Sequence, residues 1–96
     1  MRELKEIRDA TGNLIGDCEY INGRPDGRQR TWLPNGALVL EMNYKGGEPH
    51  GSYRSWWDNG ALKEVGQFNS GKRVGLYTWY LQNGELQQQH DYGPAA

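Results

Sequence analysis

The sequence lacks most of the features that mark disulfide-rich secreted domains and membrane proteins. It has one cysteine, Cys18, so no internal disulfide can form, and this fits a reducing compartment. No apolar run is long enough to span a bilayer, and the first residues lack the apolar core of a signal peptide. We therefore expect a soluble cytoplasmic protein that folds as a single domain over residues 1–96.

An excess of charge of either sign is also missing. Eleven Lys and Arg residues stand against twelve Asp and Glu residues, so the formal net charge is −1. Binding to nucleic acid through counterion release requires a basic surface, and this balance argues against it. Two short basic segments, at 24–30 and 72–73, keep an anionic membrane or RNA ligand as an alternative with less support.

Catalytic and metal-binding groups are sparse. The two histidines, His50 and His90, lie far apart in the sequence, and Cys18 has no ligand-spaced neighbour. The glycines fall in turns and do not precede a helix, so they do not form a phosphate-binding loop. The sequence predicts a protein that is not an enzyme and that uses no metal or cofactor.

Glycine, in contrast, is abundant and recurs at a fixed step. Its 14 residues include one in each of the segments "TGNL", "PNGAL", "DNGAL" and "QNGEL", and these four glycines are 24 residues apart. Leucines and aromatics keep the same step: Leu14, Leu38, Leu62 and Leu86, then Tyr20, Tyr44, Phe68 and Tyr92. The chain therefore divides into four copies, 3–26, 27–50, 51–74 and 75–96, and the first of them is degenerate.

Each copy has the pattern of a β-hairpin. Asn-Gly between apolar runs is typical of a two-residue type I′ turn, which would pair Trp57 with Leu62. Strands are predicted near 4–9, 14–21, 28–33, 38–44, 52–57, 61–68, 76–81 and 86–91. The predicted fold is all-β: an antiparallel meander of four tandem 24-residue hairpin repeats that forms a single-layer sheet, elongated or curled.

Alternation of side chains along the strands assigns two faces to this sheet. With the two-residue turn, Leu62 and Phe68 share an apolar face with Tyr53 and Trp57. The opposite face carries a row of five residues, one or two from each of the last three copies: Trp32, Trp56, Tyr80, Arg30 and Arg54. A three-residue turn with a bulge would instead pair Trp56 with Leu62, and would move the Trp56 column into the core.

This row is the predicted partner-binding site, because Trp, Tyr and Arg are enriched at binding hot spots. Cross-strand aromatics also stabilise sheets by themselves, so a purely structural role is the competing interpretation. A single-layer sheet leaves its apolar face in water unless something covers it. We therefore also expect a homo-oligomer, most simply a homodimer, formed through the apolar face.

The third copy resembles the MORN-variant repeat. The likeness is carried by Gly51, Tyr53, Trp56-Trp57, Asn59-Gly60, Leu62-Lys63, Phe68, Gly71-Lys72 and Gly75. Such repeats are similar to those of bacterial YwqK-family antitoxins. The resemblance implies a non-catalytic β-sheet array that binds and neutralises a toxin or effector-like protein. The alternatives are a phage- or mobile-element-encoded inhibitor of a host defence complex, and a lipid- or nucleic-acid-binding platform.

Overall fold

A computed structural model describes residues 2–94, and these form eight β-strands in one sheet. The strands are β1 (Arg2–Arg8), β2 (Leu14–Ile21), β3 (Arg24–Trp32), β4 (Leu38–Lys45), β5 (Glu48–Trp56), β6 (Leu62–Asn69), β7 (Lys72–Tyr80) and β8 (Leu86–Asp91). They are antiparallel and follow one another in chain order. The predicted all-β meander is confirmed. Within residues 2–94 there is no helix of the length and hydropathy needed to cross a membrane.

The first strand of each of the last three repeats begins earlier than predicted. β3 starts at residue 24, where the sequence pattern suggested 28, and Ile21 pairs directly with Arg24. The two residues between them, Asn22 and Gly23, have φ angles of 51° and 79°. Positive φ at both positions is the signature of a type I′ turn. The segments between the predicted strands of consecutive repeats therefore belong to the strands themselves. Two-residue turns join one repeat to the next.

The Asn-Gly turns within the repeats have a different geometry. In the turn of the third repeat, Gly60 has a positive φ of 88° whereas Asn59 does not, and the Gly60 N–H donates to the carbonyl of Trp57 at 3.0 Å. The Asn59 side-chain oxygen accepts the Ala61 N–H at 3.0 Å. This bond holds a three-residue loop, so Trp56 pairs with Leu62. The predicted pairing of Trp57 with Leu62 was wrong.

The wider loop is followed by a bulge, and the bulge changes which residues share a face. Ser55 pairs with Glu64, so Lys63 is an extra residue between two ladder pairs. Leu62 therefore lies on the side of Trp56, whereas Glu64, Gly66 and Phe68 lie on the side of Tyr53. The prediction that the leucine column belongs to the apolar face was wrong. The Trp56 column has not moved into the core either, because alternation within β5 keeps it opposite Tyr53.

We name the two sides by their aromatic residues. The tyrosine face carries Tyr53, Phe68, Tyr77, Trp79 and Tyr92, and the tryptophan face carries Trp32, Trp56, Arg30 and Arg54. The Cα atoms span 36 × 34 × 12 Å, the dimensions of one twisted layer. The core therefore consists of side chains packed side by side on the sheet.

Tyr77 is the centre of that core, since it is only 1% exposed. Its ring centroid lies 6.1 Å from that of Tyr53, 4.6 Å from that of Trp79 and 6.0 Å from that of Tyr92. The ring lies over Gly66, which has no side chain to obstruct it. Burial is thus achieved where several rings meet above a glycine.

Candidate binding surface

Arg30 on the tryptophan face is fixed by an ion pair with the neighbouring strand. Its Nε and Nη2 atoms donate to the two carboxylate oxygens of Asp17, at 3.1 and 2.5 Å. The Asp17 side chain is only 3% exposed. This hydrogen bonding raises the pKa of the Arg30 guanidinium above its ordinary value. A bidentate pair with one buried member holds the arginine in a single geometry.

Arg54 repeats this arrangement one copy later, nearer to solvent. Its Nη2 atom lies 2.9 Å from Glu41 Oε1, and its side chain is 50% exposed. The strand registers place Asp17, Arg30, Glu41 and Arg54 in one line across the sheet. Acidic and basic groups alternate along this line, so neighbouring charges compensate one another. The two arginines therefore do not create a basic patch for phosphate groups.

Each of these arginines also contacts the tryptophan two residues further along its strand. The Arg30 guanidinium carbon lies 4.7 Å from the centroid of Trp32, and that of Arg54 lies 5.8 Å from the centroid of Trp56. Both distances are within the range of cation–π attraction. The structure thus brings together four of the five predicted site residues as two fixed Arg–Trp pairs.

Tyr80, the fifth predicted residue, takes the tryptophan position in the last repeat. It has no arginine two residues before it, since residue 78 is Thr78, and its own carbonyl accepts the Trp57 Nε1–H at 3.1 Å. The Asn59 amide likewise donates to the Gln82 carbonyl at 2.9 Å. Tyr80 therefore extends the aromatic row. The carbonyls of Tyr80 and Gln82 connect the last hairpin to the preceding one through these two hydrogen bonds.

The leucine column is the part of this surface that the sequence reasoning missed. The ladder pairs Trp32 with Leu38, Trp56 with Leu62, and Tyr80 with Leu86. Each aromatic residue therefore has an aliphatic partner on its own face. Each pair is displaced from the next by two strand spacings, so successive pairs lie about 10 Å apart. The one available signal was the Asp-Asn-Gly triplet, which fits a three-residue loop as well as a two-residue turn.

On the tyrosine face, both carboxylate oxygens of Glu64 accept hydrogen bonds from other side chains. Glu64 accepts hydrogen bonds from the Tyr53 hydroxyl at 2.9 Å, the Trp79 Nε1–H at 3.1 Å and the Ser55 hydroxyl at 3.4 Å. Burial, followed by the bond to Glu64, raises the pKa of Tyr53 above its ordinary value. This network stabilises the core cluster.

Lys63 lies beside Trp57. The two-residue turn would instead have paired it with Trp56, across the hairpin. Because Lys63 is the bulge residue, its ammonium group instead lies 4.7 Å from the centroid of Trp57. The cation therefore lies against a ring on the tyrosine side of the sheet.

Groups with catalytic potential have local partners. His50 Nδ1 accepts the Ser70 N–H at 3.4 Å, and the His90 ring lies 4.4 Å from that of Tyr92. Cys18 is buried, and this burial raises the pKa of its thiol. In the part of the chain that the structure describes, no three His, Cys, Asp or Glu residues are grouped so as to hold a metal ion.

Comparison with known proteins gives a family match over three of the four repeats. Residues 25–45, 49–70 and 73–92 match the family model described as the MORN repeat variant, and together they cover more than half of the chain. Repeats of this kind often serve as protein- or lipid-binding modules and are generally not enzymes. No curated protein and no solved structure matches the chain.

Proposed function

This chain belongs to the MORN repeat variant family, and we propose that it is a non-catalytic protein-binding module that occludes the surface of a partner protein. The observation that carries the proposal is the tryptophan face. It presents a row of aromatic–leucine pairs whose tryptophans are held in place by arginines that are themselves paired. Rigid aromatic anchors of this kind lose little conformational entropy on binding, so they are suited to be hot spots.

The chemistry of this face favours a protein over an anionic lipid or a nucleic acid. Both arginines are compensated by carboxylates across the strand, at 2.5 Å for Arg30 and 2.9 Å for Arg54. Exposed leucines, among them Leu62 and Leu86, add apolar area beside the rings. Mixed aromatic and aliphatic surface around paired arginines is typical of the centre of a protein–protein interface.

We further propose an antitoxin-like role, in which the partner is a toxin or effector-like protein. The resemblance to YwqK-family repeats and the family's generally non-enzymatic character support this role. Such a protein would act by covering its partner's active or contact surface. Contact residues would be Trp32, Trp56, Tyr80, Arg30 and Arg54, together with the leucine column.

The test replaces Trp56 with alanine in the full chain. Partner proteins are first captured from the native host with tagged wild-type protein, identified by mass spectrometry and purified. Titration calorimetry should then show that Trp56→Ala binds about 30-fold more weakly, which corresponds to a hot spot of about 2 kcal/mol. Circular dichroism should show that the variant keeps its sheet.

Leu81→Ala is the matched control, because it truncates an exposed apolar side chain that alternation places on the tyrosine face. This control should leave the affinity unchanged. The proposal fails if Trp56→Ala unfolds the chain without a separable binding defect, or if Leu81→Ala weakens binding as much as Trp56→Ala does.

A further inference from the structure

The edge strand β1 is exposed along its whole length. All seven of its residues are exposed, and in the described part of the chain it pairs on one side only, with β2. Its apolar residues Leu4 and Ile7 are among the exposed large hydrophobic groups. The outer side of an edge strand presents unpaired N–H and C=O groups that another strand can bind.

The backbone of β1 differs from that of the other first strands of the repeats. In β3, β5 and β7 the ladder shifts near Gly27, Gly51 and Gly75, all of which have positive φ. Such bulges bend a strand and prevent regular pairing at an edge. In the same repeat column β1 has Glu3, and its pairing with β2 runs without a shift from Arg2 to Ile7. It is therefore regular enough to accept a strand on its free side.

The side chains of β1 are complementary to those of a second β1. Its sequence is RELKEIR. An antiparallel pair with a twofold axis at Leu4 places Leu4 opposite the partner's Leu4 and Glu3 opposite the partner's Lys5. The charge match rests on the two Glu3–Lys5 pairs, because Arg2 contacts Glu19 and Asp26, and Glu6 contacts Arg8, within each copy. Directly opposite residues share a face, and opposite charges at such positions stabilise the pair. We propose that two copies of this chain associate through antiparallel pairing of their β1 strands, centred on Leu4.

Other symmetric registers of β1 are less favourable. An axis at Lys5 would place this residue against its own copy and Arg2 against the partner's Arg8, and like charges directly opposite are destabilising. An axis at Ile7 would place Glu6 opposite the partner's Arg8, but the ladder of β1 shifts between Ile7 and Arg8, and Lys5 would need Asp9 as its partner. Asp9 lies beyond the strand, and its carboxylate already accepts the Thr11 N–H at 2.9 Å and the Asn13 N–H at 3.0 Å.

The opposite edge of the sheet offers no equivalent pattern. β8 has the sequence LQQQHD, which contains no Lys or Arg. No register of two β8 strands can therefore form Lys or Arg salt bridges. Charge complementarity selects β1 as the edge at which a second copy binds.

A β1 dimer has a direct consequence for the tryptophan face. A twofold axis perpendicular to the sheet joins two eight-stranded sheets into one and leaves the same face of both copies on one side. Two tryptophan rows are then presented together, so a partner with two sites would gain affinity through multivalency. Because a single strand per copy contributes less than the about 800 Å² of a standard interface, we expect a weak and reversible dimer.

Sedimentation velocity of the full chain, from about 10 µM to about 1 mM, tests the proposal across the range in which such an interface dissociates. Wild type should shift from monomer to dimer over this range. Leu4→Lys places two ammonium groups at the axis and should weaken association about tenfold or more. Leu86→Lys is the matched control, because Leu86 is as exposed as Leu4, at 57%, and lies on the other edge strand. This control should dimerise like wild type.

A charge exchange within β1 tests the register. Glu3→Lys or Lys5→Glu alone creates like-charge pairs and should each weaken the dimer, whereas the double exchange restores opposite charges and should restore it. Circular dichroism verifies that each variant is folded. Three results would each overturn the proposal. The wild-type chain could stay monomeric at about 1 mM. Leu86→Lys could dissociate the dimer while Leu4→Lys does not, or the double exchange could fail to recover association.

Discussion

Gly66→Ala should destabilise the protein through one steric conflict at the centre of the tyrosine face. A methyl group at residue 66 would lie 2.9 Å from Cγ of Tyr77 and closer still to the edge of its ring. Ordinary carbon contacts are about 3.5–4.0 Å, so the ring must move. Tyr77 is held between Tyr53 and Trp79, with centroid distances of 6.1 and 4.6 Å, and movement disturbs both contacts.

The size of the effect follows from these contacts. Overpacking a core costs about 1–3 kcal/mol, and loss of aromatic pairing adds about 0.5–1.5 kcal/mol. Replacing glycine with alanine in a strand recovers about 0.5–1 kcal/mol of chain entropy. We therefore expect a net loss of about 2 kcal/mol in the free energy of unfolding, which lowers Tm by about 8–16 °C for a domain of this size.

Urea unfolding followed by circular dichroism measures this loss, and Gly16→Ala is its control. A methyl group at Gly16 would meet Arg30 O and Ile7 at 3.6 Å, which is normal contact, and neither Gly16 nor Gly66 has a positive φ. The control should be neutral or slightly stabilising. In a Tyr77→Ala background the penalty of Gly66→Ala should disappear. Equal stabilities for the two glycine variants would refute this account of the core.

Two further predictions concern charge and pH. Asp17→Asn removes the buried half of a bidentate pair, so urea unfolding should show a loss of about 2 kcal/mol in the free energy of unfolding. Glu41→Gln, at the more exposed pair, should cost less than about 1 kcal/mol. Equal losses for the two variants would contradict the difference in burial. Because the folded state raises the pKa of Tyr53, the folded protein holds a proton that the unfolded chain releases above about pH 10. Stability should therefore fall as pH rises past that value, and Tyr53→Phe should flatten the fall when unfolding free energies are measured at successive pH values; an unchanged slope would show that this hydroxyl is not responsible.

The repeat and the strand order could be predicted from sequence, because both depend on spacing alone. A 24-residue step shared by glycine, leucine and aromatic columns indicates tandem copies of one structural unit. Short connections between consecutive strands then produce a meander. The sequence also predicted that Trp56 and Arg54 lie on the face opposite Tyr53. Side chains alternate within a strand whatever its partner does.

The leucine column could not be placed in this way, because its face depends on the loop. Asn-Gly is compatible with a two-residue turn and with the end of a three-residue loop. The choice is made by the bond from the Ala61 N–H to Asn59 and by the bond from the Trp57 N–H to the Ala61 carbonyl, at 2.8 Å. These contacts depend on three-dimensional geometry, and a one-residue bulge then reverses the face.

The bulge also gives the tryptophan face the aliphatic area on which the proposed binding depends. If the leucines lay with the tyrosines, each aromatic residue of the tryptophan row would lose its aliphatic partner. Moving one leucine per repeat places Leu62 beside Trp56, while Tyr77 over Gly66 still provides a buried centre on the other side. The buried aromatic centre and the proposed binding surface therefore lie on opposite faces of the same strands. For this reason Gly66→Ala should lower the free energy of unfolding, whereas Trp56→Ala should chiefly lower affinity for the partner.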